Sequence, residues 1–146
     1  MNALHQLNRT GAAGIIAATV LVLAACSSAP YGNPANVTLS GDQEVPPVKT
    51  SASGGGTITI NADKSVKGSV STTGVAGTMA HIHLAAPGKN GPVIVPLTKG
   101  ADNTWSVPAG AMLTDAQYQA YKAGELYVNV HSAENKGGEI RGQLKP

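Results

Sequence analysis

Residues 79–84, with the sequence MAHIHL, hold the side chains best suited to chemistry. Apolar and polar positions alternate there, which indicates a β-strand with Ile82 on one face and His81 and His83 on the other. Histidines two positions apart on a strand project side by side, about 6.5–7 Å apart along the backbone. Two imidazoles can converge from there on one metal ion, so the stretch predicts part of a metal site.

A third ligand must come from elsewhere in the chain. His131 is the remaining histidine beyond the leader, and it ends another alternating run at residues 126–130. It is in phase with Tyr127 and Asn129, opposite the apolar set of its own strand. We therefore expect all three imidazoles to lie off the apolar face, as a site at a rim or on an outer face would require.

The donor set limits the choice of metal. Imidazole suits copper, zinc, iron and nickel better than calcium or magnesium. We expect copper, with zinc as the alternative, because a periplasmic location would expose the site to copper. Met79 precedes His81 by two residues and is either an additional soft sulfur ligand or an ordinary surface or edge residue. Two other interpretations stay open: the histidines are an incidental or hydrogen-bonding pair, or His81 and His83 form a site shared across a homodimer.

Charged side chains near the histidines suggest supporting roles rather than catalysis. Glu44 precedes two prolines and Glu134 follows His131 by three residues, so either carboxylate could orient an imidazole, or both are solvated loop charges. Arg141 could serve as a structural ion-pair partner. The chain has no Gly-x-Ser-x-Gly motif, so a hydrolase is not expected and we assign no catalytic residue.

The first 25 residues have the pattern of a bacterial export signal. A polar start is followed by an apolar run at 11–25 that is short for a bilayer span. Residues 23–26, LAAC, resemble the lipobox, which implies cleavage before Cys26, acylation of that thiol (palmitate is one such lipid) and membrane anchoring. Ser27 in place of Asp implies the outer membrane, facing the periplasm, in a Gram-negative cell. An ordinary cleaved signal or an uncleaved anchor is the alternative.

Composition excludes several classes of protein. Cys26 is the only cysteine, which rules out a disulfide framework and a thiolate metal cluster. The net charge is only +2 and aromatic residues are few, so nucleic acid is not an expected partner. Residues 26–36 are small and polar and predict a flexible tether, which leaves one domain at residues 37–146.

The domain itself is predicted to be all-β with one helix. Eight short apolar runs are separated by Gly- and Pro-rich turns, which is typical of a β-sandwich or closed barrel. We expect strand 93–95 to be buried and residues 51–56 to be a small-residue bridge. Thr114 and Gln117 form a capping box that predicts a helix, and Gly124 suits its C-terminal end.

Five segments together resemble the CHRD domain, named for the animal protein chordin and frequent in bacterial secreted proteins. They are residues 39–48, 80–83, 88–93, 124–131 and 137–144, in that order. The resemblance implies one CHRD domain with an immunoglobulin-like or superoxide-dismutase-like Greek-key architecture, but it implies no activity.

A weaker similarity is to copper–zinc superoxide dismutase, where a His-x-His strand and a late Val-His supply copper ligands. It implies His81, His83 and His131 as copper ligands in this chain. The chain departs from that pattern because no histidine lies between His83 and His131 and the disulfide cysteines are missing.

Three functions follow as hypotheses. The first is a membrane-anchored periplasmic protein that binds copper for buffering, carriage or delivery, the last to a copper-trafficking partner. The second is a dismutase-like copper redox enzyme. The third is a structural or adhesion module without metal.

Overall fold

The computed structural model describes residue 32 and residues 34–146. The predicted signal peptide and Cys26 lie outside the described residues. Within those residues, no helix is long and apolar enough to cross a membrane. The elements are β1 Pro34–Ser40, β2 Ser53–Ile60, β3 Val66–Thr73, β4 Gly77–Leu84, β5 Val93–Pro96, β6 Thr98–Lys99, β7 Thr104–Ser106, α1 Asp115–Lys122, β8 Leu126–Ser132 and β9 Ile140–Leu144.

The strands of the described chain form one antiparallel sheet in the order β5-β4-β8-β9-β1-β2-β3-β7-β6. The two ends of this order, β5 and β6, are separated in the chain only by Leu97. The Leu97 N–H also donates to the Ala80 carbonyl at 2.9 Å, so the sheet curls into a nearly closed barrel. Strand β8 lies beside β4 after the chain has passed through β5 to β7, which is a Greek-key arrangement.

Alternation along the strands determines which side chains fill the barrel. In β1, Val37 and Leu39 are buried while Asn36 and Thr38, the residues before each of them, are exposed, as a strand with one solvated face requires. The interior is built mainly from aliphatic side chains, with Trp105 and Tyr121 as its aromatic members, because the chain lacks phenylalanine. Its most buried members include Leu39, Ile58, Ile60, Val70, Ile82, Trp105, Leu126, Val128, Val130, Ile140 and Leu144.

The all-β prediction is confirmed, with differences in detail. The described residues form nine strands rather than eight, because the two-residue β6 gave no pattern in the sequence. Residues 54–56, predicted as part of a bridge, lie within β2 and pair with β1 and β3. Strand β1 begins at Pro34, inside the predicted tether. Strand β5 is less buried than predicted, since Val93 is 47% exposed.

The helix is the predicted one. Gln117 donates its N–H to the Thr114 hydroxyl at 3.2 Å, and the Thr114 N–H donates to the Gln117 side chain at 2.8 Å. This capping box satisfies amides that the first turn leaves unpaired. Gly124 follows the helix at φ +75°, a left-handed conformation that glycine adopts readily, and turns the chain into β8.

Strand β8 departs from the expected one-sided burial. All seven of its residues are buried, although only alternate ones face the barrel interior. Its outer face lies beneath the segments that follow β1, β4 and β8. A hydrogen bond from Asn90 to the Val45 carbonyl connects two of these segments, and one from Arg141 of β9 to the Lys89 carbonyl ties the segment after β4 to the sheet. The predicted outer-face site is therefore a covered polar layer and only partly open.

Candidate metal centre

Pairing of β4 with β8 brings the three histidines together. In the register of the two strands Met79 faces His131, His81 faces Asn129 and His83 faces Tyr127. His131 is therefore a diagonal neighbour of His81 on the same outer face. One nitrogen from each imidazole lies within 4.8 Å of those of the other two. The closest pair is His81 Nδ1 and His131 Nε2, which are 3.1 Å apart.

Backbone carbonyls fix the orientation of two of the rings. His83 Nδ1 lies 2.9 Å from the Gly91 carbonyl, and His131 Nδ1 lies 3.0 Å from the Lys136 carbonyl. Because a carbonyl oxygen only accepts, each Nδ1 carries the proton in these contacts, and each neutral ring has its lone pair on Nε2. The lone pair of His131 Nε2 accepts a hydrogen bond from His81 Nδ1 in the metal-free protein. His83 Nε2 is buried and has no hydrogen-bond partner in the described part of the chain.

Electrostatics favour the neutral form of all three imidazoles. Burial lowers the pKa of His81, and the nearby His131 and His83 lower it further. Burial also lowers the pKa of His83 and of His131, although the hydrogen bonds to Gly91 and Lys136 act in the opposite direction. Neutral imidazoles are the form that binds metal ions.

The spacing of the nitrogens agrees with a shared ion. Two nitrogens bonded to one ion at about 2.0–2.1 Å lie roughly 2.8–3.4 Å apart when the angle at the metal is about 90–110°. The 3.1 Å between His81 Nδ1 and His131 Nε2 falls in that range. His83 Nε2, buried without a hydrogen-bond partner among the described residues, could serve as a third ligand atom. This group of histidines could therefore hold a metal ion.

Met79 lies at the open side of the cluster. It is the cross-strand neighbour of His131 and is 50% exposed. His81, two residues further along β4, is the most accessible of the three histidines. A role for the Met79 sulfur as a ligand stays a prediction.

The two carboxylates that the sequence suggested have other surroundings. Gly91 and Lys136 carbonyls, rather than Glu44 or Glu134, accept the hydrogen bonds that orient His83 and His131. Glu134 is exposed. Glu44 is only 4% exposed, and this burial raises its pKa to about 7 against the opposing effects of Arg141 and of a backbone hydrogen bond at Val45.

Glu44 instead lies beside Asn129 and Gly138. Oε1 of Glu44 and Oδ1 of Asn129 are buried without a hydrogen-bond partner among the described residues. A Cβ atom added to Gly138 would lie 2.5 Å from Asn129 Oδ1 and 2.6 Å from Glu44 Oε1, so the two acceptors face the same point. A proton on Glu44 would supply the donor that both oxygens lack.

Sequence reasoning missed the aromatic and cationic partners of His83. The Tyr127 ring stacks on the His83 ring, with centroids 4.8 Å apart and planes inclined by 10°. The Arg141 guanidinium carbon lies 3.4 Å from the Tyr127 ring centroid. The phase of β8 was the available signal for Tyr127. For Arg141 the sequence suggested an ion pair, but nothing in it indicated the contacts with Lys89 and Asn90, because these depend on a loop from another part of the chain.

Comparison with protein families matches residues 35–144 to the CHRD domain. The chain belongs to the CHRD domain family. No curated protein and no solved structure gives a significant match. The matched CHRD segment includes all three histidines and spans the barrel from β1 to the end of β9.

Proposed function

We propose that this CHRD domain binds one copper ion through His81, His83 and His131 and serves to buffer, carry or deliver copper. The observation that carries the proposal is the 3.1 Å approach of His81 Nδ1 to His131 Nε2, next to the unpartnered Nε2 of His83. Three neutral nitrogen donors would hold Cu(II) more tightly than Zn(II) in the usual order of affinities. Zinc remains the alternative metal.

Exposure of the cluster suits exchange of an ion with a partner. His83 and His131 are buried, whereas His81 is half-buried and Met79 is half exposed. A copper ion would thus be reached from the side of β4 that carries His81 and Met79. We propose that acylation of Cys26 anchors the domain to the outer membrane so that the domain lies in the periplasm.

Native mass spectrometry during titration with copper and with zinc tests the proposal. We expect the parent domain to retain one equivalent of copper and a His83→Ala/His131→Ala variant to retain none. Gln119→Ala, an exposed change on α1, is the matched control and should bind like the parent. Equal retention by parent and double variant, or none by the parent, would contradict the proposal.

A superoxide assay on the copper-loaded domain separates binding from catalysis. Superoxide turnover that is faster than in buffer without protein, and that is lost in the double variant, would favour the dismutase-like alternative. A parent that retains no metal would favour the structural or adhesion module.

A further inference from the structure

Arg141 is a buried cation without an ion-pair partner among the described residues. Its side chain is 1% exposed, and the ion pair found within the described residues joins Lys64 and Asp115 instead. Burying a guanidinium is costly unless its donors are satisfied. Arg141 donates to the Lys89 carbonyl at 2.6 Å and to Asn90 Oδ1 at 3.1 Å, and it covers the Tyr127 ring.

The groups that Arg141 contacts are neighbours of those that contact His83. The residue after Asn90 is Gly91, whose carbonyl accepts from His83 Nδ1 and whose N–H donates to the Tyr127 hydroxyl at 3.2 Å. Tyr127 is also the ring that stacks on His83. Arg141 therefore contacts the Tyr127 ring directly and the two residues that precede Gly91 through the Lys89 carbonyl and Asn90 Oδ1.

We propose that Arg141 is a positioning residue for the metal site. Its planar, forked guanidinium holds the segment 89–91 and stacks on Tyr127 at the same time, so that His83 keeps its Nδ1–H on Gly91 and presents Nε2 to the cluster. Lysine has the charge but lacks the fork and the stacking plane. The effect on metal binding rests on the proposed function, whereas the effect on His83 concerns the metal-free protein as well.

Exchange of the imidazole protons in the metal-free protein is the first test. In Arg141→Met we expect the His83 Nδ1–H to exchange with solvent about tenfold faster or more, measured by ¹⁵N-resolved NMR, because local opening becomes easier. The His131 Nδ1–H, held by Lys136, should change less than about twofold. Arg141→Lys should fall between parent and Arg141→Met.

A double-mutant cycle with copper is the second test. Arg141→Met should weaken copper binding about 10–100-fold, the scale expected for partners of a ligating histidine. In a His83→Ala background the same change should have almost no further effect, because Arg141 acts through His83. If Arg141 had only a structural role, Arg141→Met would instead weaken copper binding by the same factor in both backgrounds.

Loop variants keep the test decisive if Arg141→Met does not fold. Asn90→Ala removes one acceptor of Arg141 at an exposed position and should accelerate His83 Nδ1–H exchange. Lys89→Ala is the matched control, because Lys89 meets Arg141 through its carbonyl, and it should behave like the parent. Unchanged His83 exchange in Asn90→Ala and the Arg141 variants would overturn the inference. Failure of the parent to bind copper would overturn only the proposed function.

Discussion

The rings of His83 and Tyr127 lie nearly parallel, inclined by 10° with centroids 4.8 Å apart, because the two residues face each other across β4 and β8. The Tyr127 hydroxyl also accepts the Gly91 N–H. The Tyr127 ring thereby contacts His83, a proposed metal ligand. The Tyr127 hydroxyl binds Gly91, whose carbonyl orients His83.

Tyr127→Phe separates these two contacts. The variant keeps the stacked ring but leaves the Gly91 N–H without its acceptor, so we expect the free energy of unfolding to fall by about 1 kcal/mol. Urea denaturation measures this change. Tyr118→Phe on α1 is the control and should change stability by less than about 0.5 kcal/mol. Equal effects of the two substitutions would contradict the assigned hydrogen bond.

Gly138→Ala should disrupt the layer beneath His131. Gly138 has φ +134°, and a Cβ there would lie 2.5 Å from the Asn129 amide and 2.6 Å from Glu44 Oε1. The strained backbone of an alanine at this φ and the displacement of Asn129 and Glu44 should together lower the free energy of unfolding by about 2 kcal/mol or more. The neighbouring Gly137→Ala is a matched control, since nothing lies within 4 Å of its added Cβ. Thermal and urea unfolding of the two variants should therefore differ clearly.

Glu44 should make stability depend on pH near neutrality. Its pKa is raised from 4.5 to about 7 in the folded protein, so the folded state binds more protons than the unfolded state between those values. Stability from this group is therefore present at low pH and is lost as pH rises from about 4.5 through 7. Glu44→Gln keeps a neutral side chain, so it should match the parent near pH 4.5. At pH 8 the free energy of unfolding of Glu44→Gln should exceed that of the parent by about 3 kcal/mol.

Unfolding free energies of parent and Glu44→Gln across this pH range measure the difference. Asp42→Asn, an exposed change in the same segment, is the control and should show no comparable divergence from the parent. A constant difference between parent and Glu44→Gln at all pH values would mean that Glu44 titrates alike in both states.

Met79 offers a test of sulfur ligation. A thioether prefers Cu(I) to zinc, so Met79→Leu should weaken Cu(I) binding by about tenfold while leaving zinc binding almost unchanged. Met112→Leu is the matched control, since Met112 is similarly exposed at 54% and lies outside β4 and β8. Competition titrations with a Cu(I) chelator measure the Cu(I) affinities of both variants. Equal Cu(I) affinities in the two variants would remove Met79 from the ligand set.

Local patterns in the sequence predicted local features well. Period-two alternation placed His81 and His83 on one face of β4 and His131 opposite the apolar face of β8, because successive side chains of any strand point to opposite sides. The Thr114 capping box and Gly124 marked the ends of α1 for an equally local reason. Residues 54–56 misled the prediction, since glycine has little strand preference and only pairing on both sides holds it in β2.

The sequence by itself determined which side chains could bind a metal and which face of each strand would carry them. Only the tertiary structure decided that His81 and His131, fifty residues apart, approach to 3.1 Å, because that distance depends on the register of β4 against β8 in the nearly closed barrel. The burial of Glu44 and Arg141 was likewise decided there, since the loops that cover the outer face of β8 come from distant parts of the chain. Alternation carries no information about such long-range contacts.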